Sequence, residues 1–139
     1  MDFIDTINIA GSGLTAERVR LQTVAANMAN ARTTRTPDGG PYKRQVPIFE
    51  AQPLREFGNE LDQHLARVGI PEVRQVGGTV SRHEPNHPDA DASGYVEFPD
   101  INLLHEMVDM MAASRAYEAN AEVVDTTVQM AMRAIEIGR

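Results

Sequence analysis

The chain has 139 residues, 42% of them hydrophobic but only 5% aromatic and none Trp, so one modest core of aliphatic, Ala and Met side chains is expected. A formal charge of −7 argues against nucleic-acid binding, which needs a basic face, and the absence of cysteine excludes disulfides and thiolate metal sites. The charge is unevenly placed: residues 1–82 hold ten Lys/Arg against nine Asp/Glu, and residues 83–139 hold three against eleven.

At the N-terminus, Asp2 and Asp5 stand where a secretory signal carries positive charge, and no long apolar run follows, so no cleaved signal peptide is expected. Nothing approaches the roughly 18 consecutive apolar residues of a membrane span. From Phe3 to Ala31 the apolar residues keep helical spacing through Phe3, Ile7, Ala10, Leu14, Leu21, Val24, Met28 and Ala31, with only Glu17 interrupting. Gly11-Ser12-Gly13 weakens this helix by about 1 kcal/mol per Gly relative to Ala. It marks either a bend or a cap, or a point where a neighbouring helix packs close to the backbone. Thr33, Thr34 and Thr36, then Pro37-Asp38-Gly39-Gly40-Pro41, end the helix near Arg32 in turn chemistry.

The middle of the chain is β-like. Tyr42–Glu50 has the pattern of a strand that Pro47 confines to an edge. Residues 54–67 read as a short helix around Leu61 and Leu65 or as no regular structure. Val68–Val76, interrupted by Pro71, and Thr79–Arg82 read as strands about a Gly77-Gly78 turn. Residues 83–94 form a loop, and Tyr95–Phe98 is a short strand before Pro99.

Two matches in that loop fail on their chemistry. His83-Glu84-Pro85-Asn86-His87 fits H-E-x-x-H, but that motif binds zinc only on a helix, where residues four apart share a face. Pro85 and Pro88 forbid the helix. The run from Asp89 through Asp91 to Asp100 has spacing similar to a calcium loop, but it ends in Asp rather than Glu and no entering helix precedes it. An Asp-rich turn is the simpler reading. His64 and His105 fall at solvated positions, Ser114 lies in a small-residue patch suited to packing, and neither Gly-Gly pair forms a phosphate loop. No enzyme and no cofactor site is expected.

The chain ends in its most organised stretch. Ile101–Ile137 is 37 residues without Gly or Pro, about 55 Å long as a helix. Alternating steps of four and three give a heptad seam through Leu103, Met107, Met110, Ser114, Tyr117, Ala121, Val124, Val128, Ala131 and Ile135. A second stripe runs through Ile101, Leu104, Val108 and Met111, then Val123, Met130, Ala134 and Ile137. No core of this chain can wrap such a helix, so its cover must come from another long helix, from other chains, or from both.

Three stretches carry a resemblance: Ala26-Asn27-Met28-Ala29-Asn30 running on to Gly39-Gly40-Pro41-Tyr42-Lys43-Arg44, then His87–Val96, then Met107–Asn120. The sequence resembles the flagellar rod and hook proteins, and its Gly-Gly-Pro-Tyr-Lys-Arg run is similar to the proximal-rod members. Met28 departs mildly, standing where that family more often has Ile or Leu. The resemblance implies a mainly α fold with a small β insert. Long N- and C-terminal helices, in residues 1–36 and 99–139, would pair as an antiparallel coiled coil, with residues 37–98 as a β-rich insert domain.

It further implies a structural subunit of the basal-body rod, exported uncleaved through the flagellar apparatus and polymerised helically with itself and other rod proteins above the basal-body base. Assembly contacts would fall on Ile7, Leu14, Leu21, Val24 and Met28, with Asn27 and Asn30 of the motif. On the second helix they would fall on Leu103, Met107, Met110, Tyr117, Ala121, Val124, Val128, Ala131 and Ile135. A coiled-coil adaptor or export-related helical protein would share the helices and need no insert; a metalloenzyme would use His83 and His87.

Overall fold

The computed structural model describes residues 3–54 and 65–138. Two long helices, α1 (Phe3–Ala29) and α2 (Leu103–Ile137), bracket four strands: β1 (Gln45–Pro53), β2 (Ala66–Gln75), β3 (Thr79–His83) and β4 (Tyr95–Pro99). The helices lie side by side, with Gly13 against Asn120, Arg20 against Asp109 and Asn27 against Glu106, so opposed residues run in opposite chain directions.

Small side chains set the spacing between the helices. Ala10, Ala16 and Val24 of α1 and Ala113 of α2 are buried. A Cβ on Gly13 would stand 2.9 Å from Asn120 Nδ2, whereas one on Gly11 would meet nothing within 4 Å. Of the alternatives for the Gly-Ser-Gly run, close approach of a neighbouring helix is found, and within that run at Gly13 rather than Gly11. Ser12 does other work: its hydroxyl accepts the Val68 backbone N–H at 3.0 Å and ties β2 to α1.

The strands form two separate antiparallel ribbons, β1 with β2 and β3 with β4. Every strand is then an edge, which is why Pro47 and Pro71 are tolerated within them. The register slips between Ile48 and Glu50, so Phe49 faces the stretch holding Pro71 and β2 runs through the proline as a bulge. The strands on either side of Gly77-Gly78, expected from their sequence to be neighbours about a turn, do not pair with each other. β2 pairs along its whole length with β1, and Val76 extends that ladder by donating to the Arg44 carbonyl at 2.7 Å. Gly77, at φ +101°, turns the chain away, and the Gly78 carbonyl accepts the Asp100 N–H at 3.1 Å in line with β4. Val96, Phe98 and Pro99, all of β4, are the only buried strand residues among the described residues.

The second helix begins two residues later than its apolar pattern suggests. Asn102 caps it, its Oδ1 accepting the N–H groups of Leu104 at 3.0 Å and His105 at 3.3 Å. A side chain that satisfies the orphan donors of the first turn outweighs one more apolar residue, so Ile101 stays in the linker. The alternatives raised for residues 54–67 concern mainly residues 55–64, outside the described residues; Ala66 and Arg67 belong to β2.

Candidate assembly interface

Three segments meet in a polar knot. Asn27, near the end of α1, is 1% exposed. Its Oδ1 accepts the Gln45 N–H at 2.9 Å and the Tyr42 hydroxyl at 3.1 Å. Its Nδ2 donates to the Gln45 carbonyl at 2.8 Å and to Glu106 Oε2 at 3.0 Å. The amide thus meets both backbone groups of Gln45 as a neighbouring strand would, and none of its four bonding positions is left over. Glu106, in the first turn of α2 and also 1% exposed, accepts Arg44 Nε on Oε1 at 2.6 Å. A buried carboxylate held by a guanidinium and an amide is the arrangement that makes interior charge tolerable. Asp109 extends the knot, accepting Arg20 Nη2 at 3.2 Å with Arg44 Nη2 at 3.7 Å. Burial, and then the Glu106 carboxylate, push the Tyr42 phenol above its ordinary value. Asn30 closes the helix end, donating to the Ala26 carbonyl at 2.9 Å and accepting the Thr33 hydroxyl at 3.1 Å.

Around this knot the expected contact residues divide into two sets. Val24 and Asn27 of α1 are buried, while Ile7, Leu14, Leu21 and Met28 of α1, and Asn30 just past its end, are half-buried. On α2, Met110, Val124 and Ala131 are half-buried, with Ser114 beside them, and Leu103, Met107, Tyr117, Ala121, Val128 and Ile135 are exposed. The row that sinks deepest against α1 is Glu106, Ala113 and Thr127, with Asn120 half-buried among them. These residues are spaced by seven, but they are polar or small, so a search for apolar spacing passes over them. Thr127 returns its hydroxyl to the Val123 carbonyl at 2.7 Å, which lets a polar side chain be buried without an outside partner. The helix pair thus meets through short and polar side chains, while much of the larger apolar surface of α2 faces water: Leu104, Val108, Met111, Val123, Met130 and Met132 join the exposed seam.

The carboxylates of the Asp-rich loop are engaged within the chain. Asp89 accepts the Thr34 hydroxyl at 2.8 Å and pairs with Arg35 at 3.3 Å, tying the loop to the segment after α1. Asp91 Oδ1 accepts the N–H groups of Ser93 and Tyr95, both at 2.8 Å, which is the work of an Asx turn. His83 stacks edge-on against Tyr95 and His87 against Phe98, with ring centroids 5.0 and 5.9 Å apart. The two imidazoles therefore rest on different rings. Among the described residues no group of three His, Cys, Asp or Glu side chains could hold a metal ion, and no helix is long and apolar enough to cross a membrane.

Comparison with known proteins adds the decisive observation. The family model for the flagella basal body rod protein matches residues 7–35, and that for the flagellar basal body rod FlgEFG protein C-terminal region matches residues 92–137. The flagellar basal-body rod protein FlgC of Borreliella burgdorferi is 39% identical, over 99% of this chain and 98% of its own. The chain belongs to the FlgC family of flagellar basal-body rod proteins. FlgC of Aquifex aeolicus is also 39% identical, over 98% of this chain and 97% of its own, and FlgC of Salmonella typhimurium is 36% identical over the whole of both. Membership makes the chain a structural rod protein rather than an enzyme. The two family models fall on the two helices, and the second also takes in β4.

Proposed function

We propose that this FlgC-family chain polymerises helically, with copies of itself and with other rod proteins, into the periplasm-spanning shaft that transmits motor torque. Residues 1–36 and 99–139 form the inner-tube unit as an antiparallel coiled coil, and residues 37–98 form an outer insert. The chain reaches the rod through the flagellar export apparatus, and it builds on the basal-body base. The observation that carries this reading is the apolar face of α2 that α1 leaves in water, from Leu103 through Met107, Ala121 and Val128 to Ile135. A surface of that extent is either an interaction site or an aggregation liability. Neighbouring subunits are its natural cover. The half-buried residues Ile7, Leu14, Leu21 and Met28 would contribute where they border it, and Val24, Asn27 and Asn30 would support the face from within.

Ala121 tests the reading. It is exposed in the isolated chain, and Lys is nearly as good a helix former as Ala, so Ala121→Lys should fold normally. Within an assembly the ammonium must be buried or the helices pushed apart, at roughly 2 kcal/mol or more per subunit. Ala121→Lys should therefore keep the wild-type unfolding midpoint yet block rod completion and motility. Glu122→Lys, one position off the seam, should be much milder. Normal rods built from Ala121→Lys would show that this face is not an assembly surface.

A further inference from the structure

His87 lies in the loop between β3 and β4 and is half-buried. Its ring meets Phe98 edge-on at 5.9 Å, and its Nδ1 accepts the Asp89 backbone N–H at 3.1 Å. Asp91 makes the same turn further along the loop, its Oδ1 accepting the Ser93 N–H at 2.8 Å. Asp and Asn are the common builders of such a turn. At His87 an imidazole nitrogen stands where their side-chain oxygen would, and Pro88 between the bonded residues holds φ fixed without adding an N–H.

That bond dictates the state of the ring. An N–H donates only to a nitrogen with a lone pair, so Nδ1 is bare and the ring proton sits on Nε2. An imidazolium carries hydrogen on both nitrogens, and its Nδ1–H would confront the Asp89 N–H across 3.1 Å. Imidazole is the side chain that takes up a proton near neutrality.

The residue held by the bond is the one that grips the end of α1. Asp89 Oδ2 accepts the Thr34 hydroxyl at 2.8 Å, and Oδ1 pairs with Arg35 at 3.3 Å. Other charged groups surround the ring. Arg82 of β3 lies over the same Phe98 ring, 5.4 Å from its centroid. His83 of β3 and Glu84 and Asp91 of the loop are exposed; His83 stacks on Tyr95, and Asp91 is taken up by the Ser93 and Tyr95 N–H groups.

We infer that His87 is a proton-operated latch, which seats Asp89 on Thr34 and Arg35 while neutral and loosens that grip when protonated. The added proton has two ways to be accommodated. The ring turns away and leaves the Asp89 N–H without its acceptor, or the imidazolium draws the Asp89 carboxylate from Arg35. Arg82, already on Phe98, opposes a second cation against that ring and favours the first way. Either way the loop lets go of the segment following α1. The latch works within one chain and stands apart from the rod reading.

The test is nuclear magnetic resonance of the full chain in solution from about pH 8 to 5, following the His87 ring nitrogens and the Asp89, Thr34 and Arg35 amides. At the alkaline end the ring proton should sit on Nε2. As His87 takes up its second proton, exchange protection of the Asp89 amide should fall about fivefold, the worth of one ordinary hydrogen bond, and the Thr34 and Arg35 amides should shift with it. His87→Asn places an amide oxygen where Nδ1 was and cannot titrate, so its Asp89 protection should stay level while His83 still titrates. His87→Phe keeps a ring on Phe98 but offers no acceptor, so Asp89 should be loose throughout. A proton on Nδ1 at pH 8 would overturn the latch. So would Thr34 and Arg35 amides that ignore the His87 titration, or Asp89 protection that follows pH alike in wild type and His87→Asn. The wild-type readings decide alone if a variant fails to fold.

Discussion

The pairing of Arg44 with Glu106 should be among the most sensitive contacts in the monomer, and a double-mutant cycle measures it. Glu106 is 1% exposed and its Oε1 has Arg44 Nε at 2.6 Å, so Arg44→Met leaves a buried carboxylate with only the Asn27 amide on its other oxygen. Stripping one partner from a buried pair costs about 3–5 kcal/mol. The Arg44 side chain is 30% exposed, so water can enter where it was, and the lower end, about 3 kcal/mol, is the expected loss. Glu106→Gln is the gentler change: Gln can still accept from Asn27, and Arg44 retains Asp109 at 3.7 Å. About 1–2 kcal/mol is expected there, one charge-assisted bond becoming an ordinary one. In the double variant no buried charge is left uncompensated, so its loss should fall short of the sum of the singles by at least about 1 kcal/mol. Urea unfolding of the monomeric chain, followed by helix signal, reads all four corners of the cycle. Additive losses, or an Arg44→Met loss below about 0.5 kcal/mol, would refute the claim that this knot binds the two helices to β1.

Two further substitutions probe the backbone and the pH response. Gly11→Ala should stabilise the monomer by about 1 kcal/mol, since its new methyl meets nothing within 4 Å, whereas Gly13→Ala should lose that gain against the Asn120 side chain and recover it when combined with Asn120→Ala. Equal urea midpoints for Gly11→Ala and Gly13→Ala would show that the helices do not approach most closely there. Tyr42 ionises above its ordinary 10.0 in the fold because burial favours the neutral phenol and Glu106 repels the phenolate. A raised acid contributes stability that is whole below about pH 10 and disappears as pH climbs through the folded value, so Tyr42→Phe should flatten the alkaline loss of stability. Tyrosinate absorbance and urea midpoints from about pH 9 to 12 test this, and parallel losses in wild type and Tyr42→Phe would contradict it.

Much of the architecture is legible in the amino-acid sequence. Helical spacing over 27 and 35 residues is a strong signal because one repeated contact face selects it, and both long helices stand within two residues of where the pattern puts them. The Pro37–Pro41 turn and the Asp89–Asp91 loop are readable because proline, glycine and Asx side chains act on their own backbone. The motif Ala26–Asn30 likewise marks the family from local residues alone.

What the tertiary structure decided were the choices between partners. Whether β2 pairs with β1 or with β3 depends on competing ladders, and no local residue around Gly77 carries that information. Which face of α2 turns toward α1 does not follow from hydrophobicity, because the helices meet through Gly13, Ala113, Asn120 and Thr127, and close backbone approach rewards small side chains rather than large ones. Nor does any single stretch foretell that Asn27, Tyr42, Arg44 and Glu106 share one knot, since the partners come from three separate segments. Sequence alone specifies the helices and turns, whose hydrogen bonds close within a few residues. Their mutual arrangement, and the apolar face left over for a partner, follow from contacts between residues far apart in the chain, as between Arg20 and Asp109 or Gly13 and Asn120, which only the folded chain brings together.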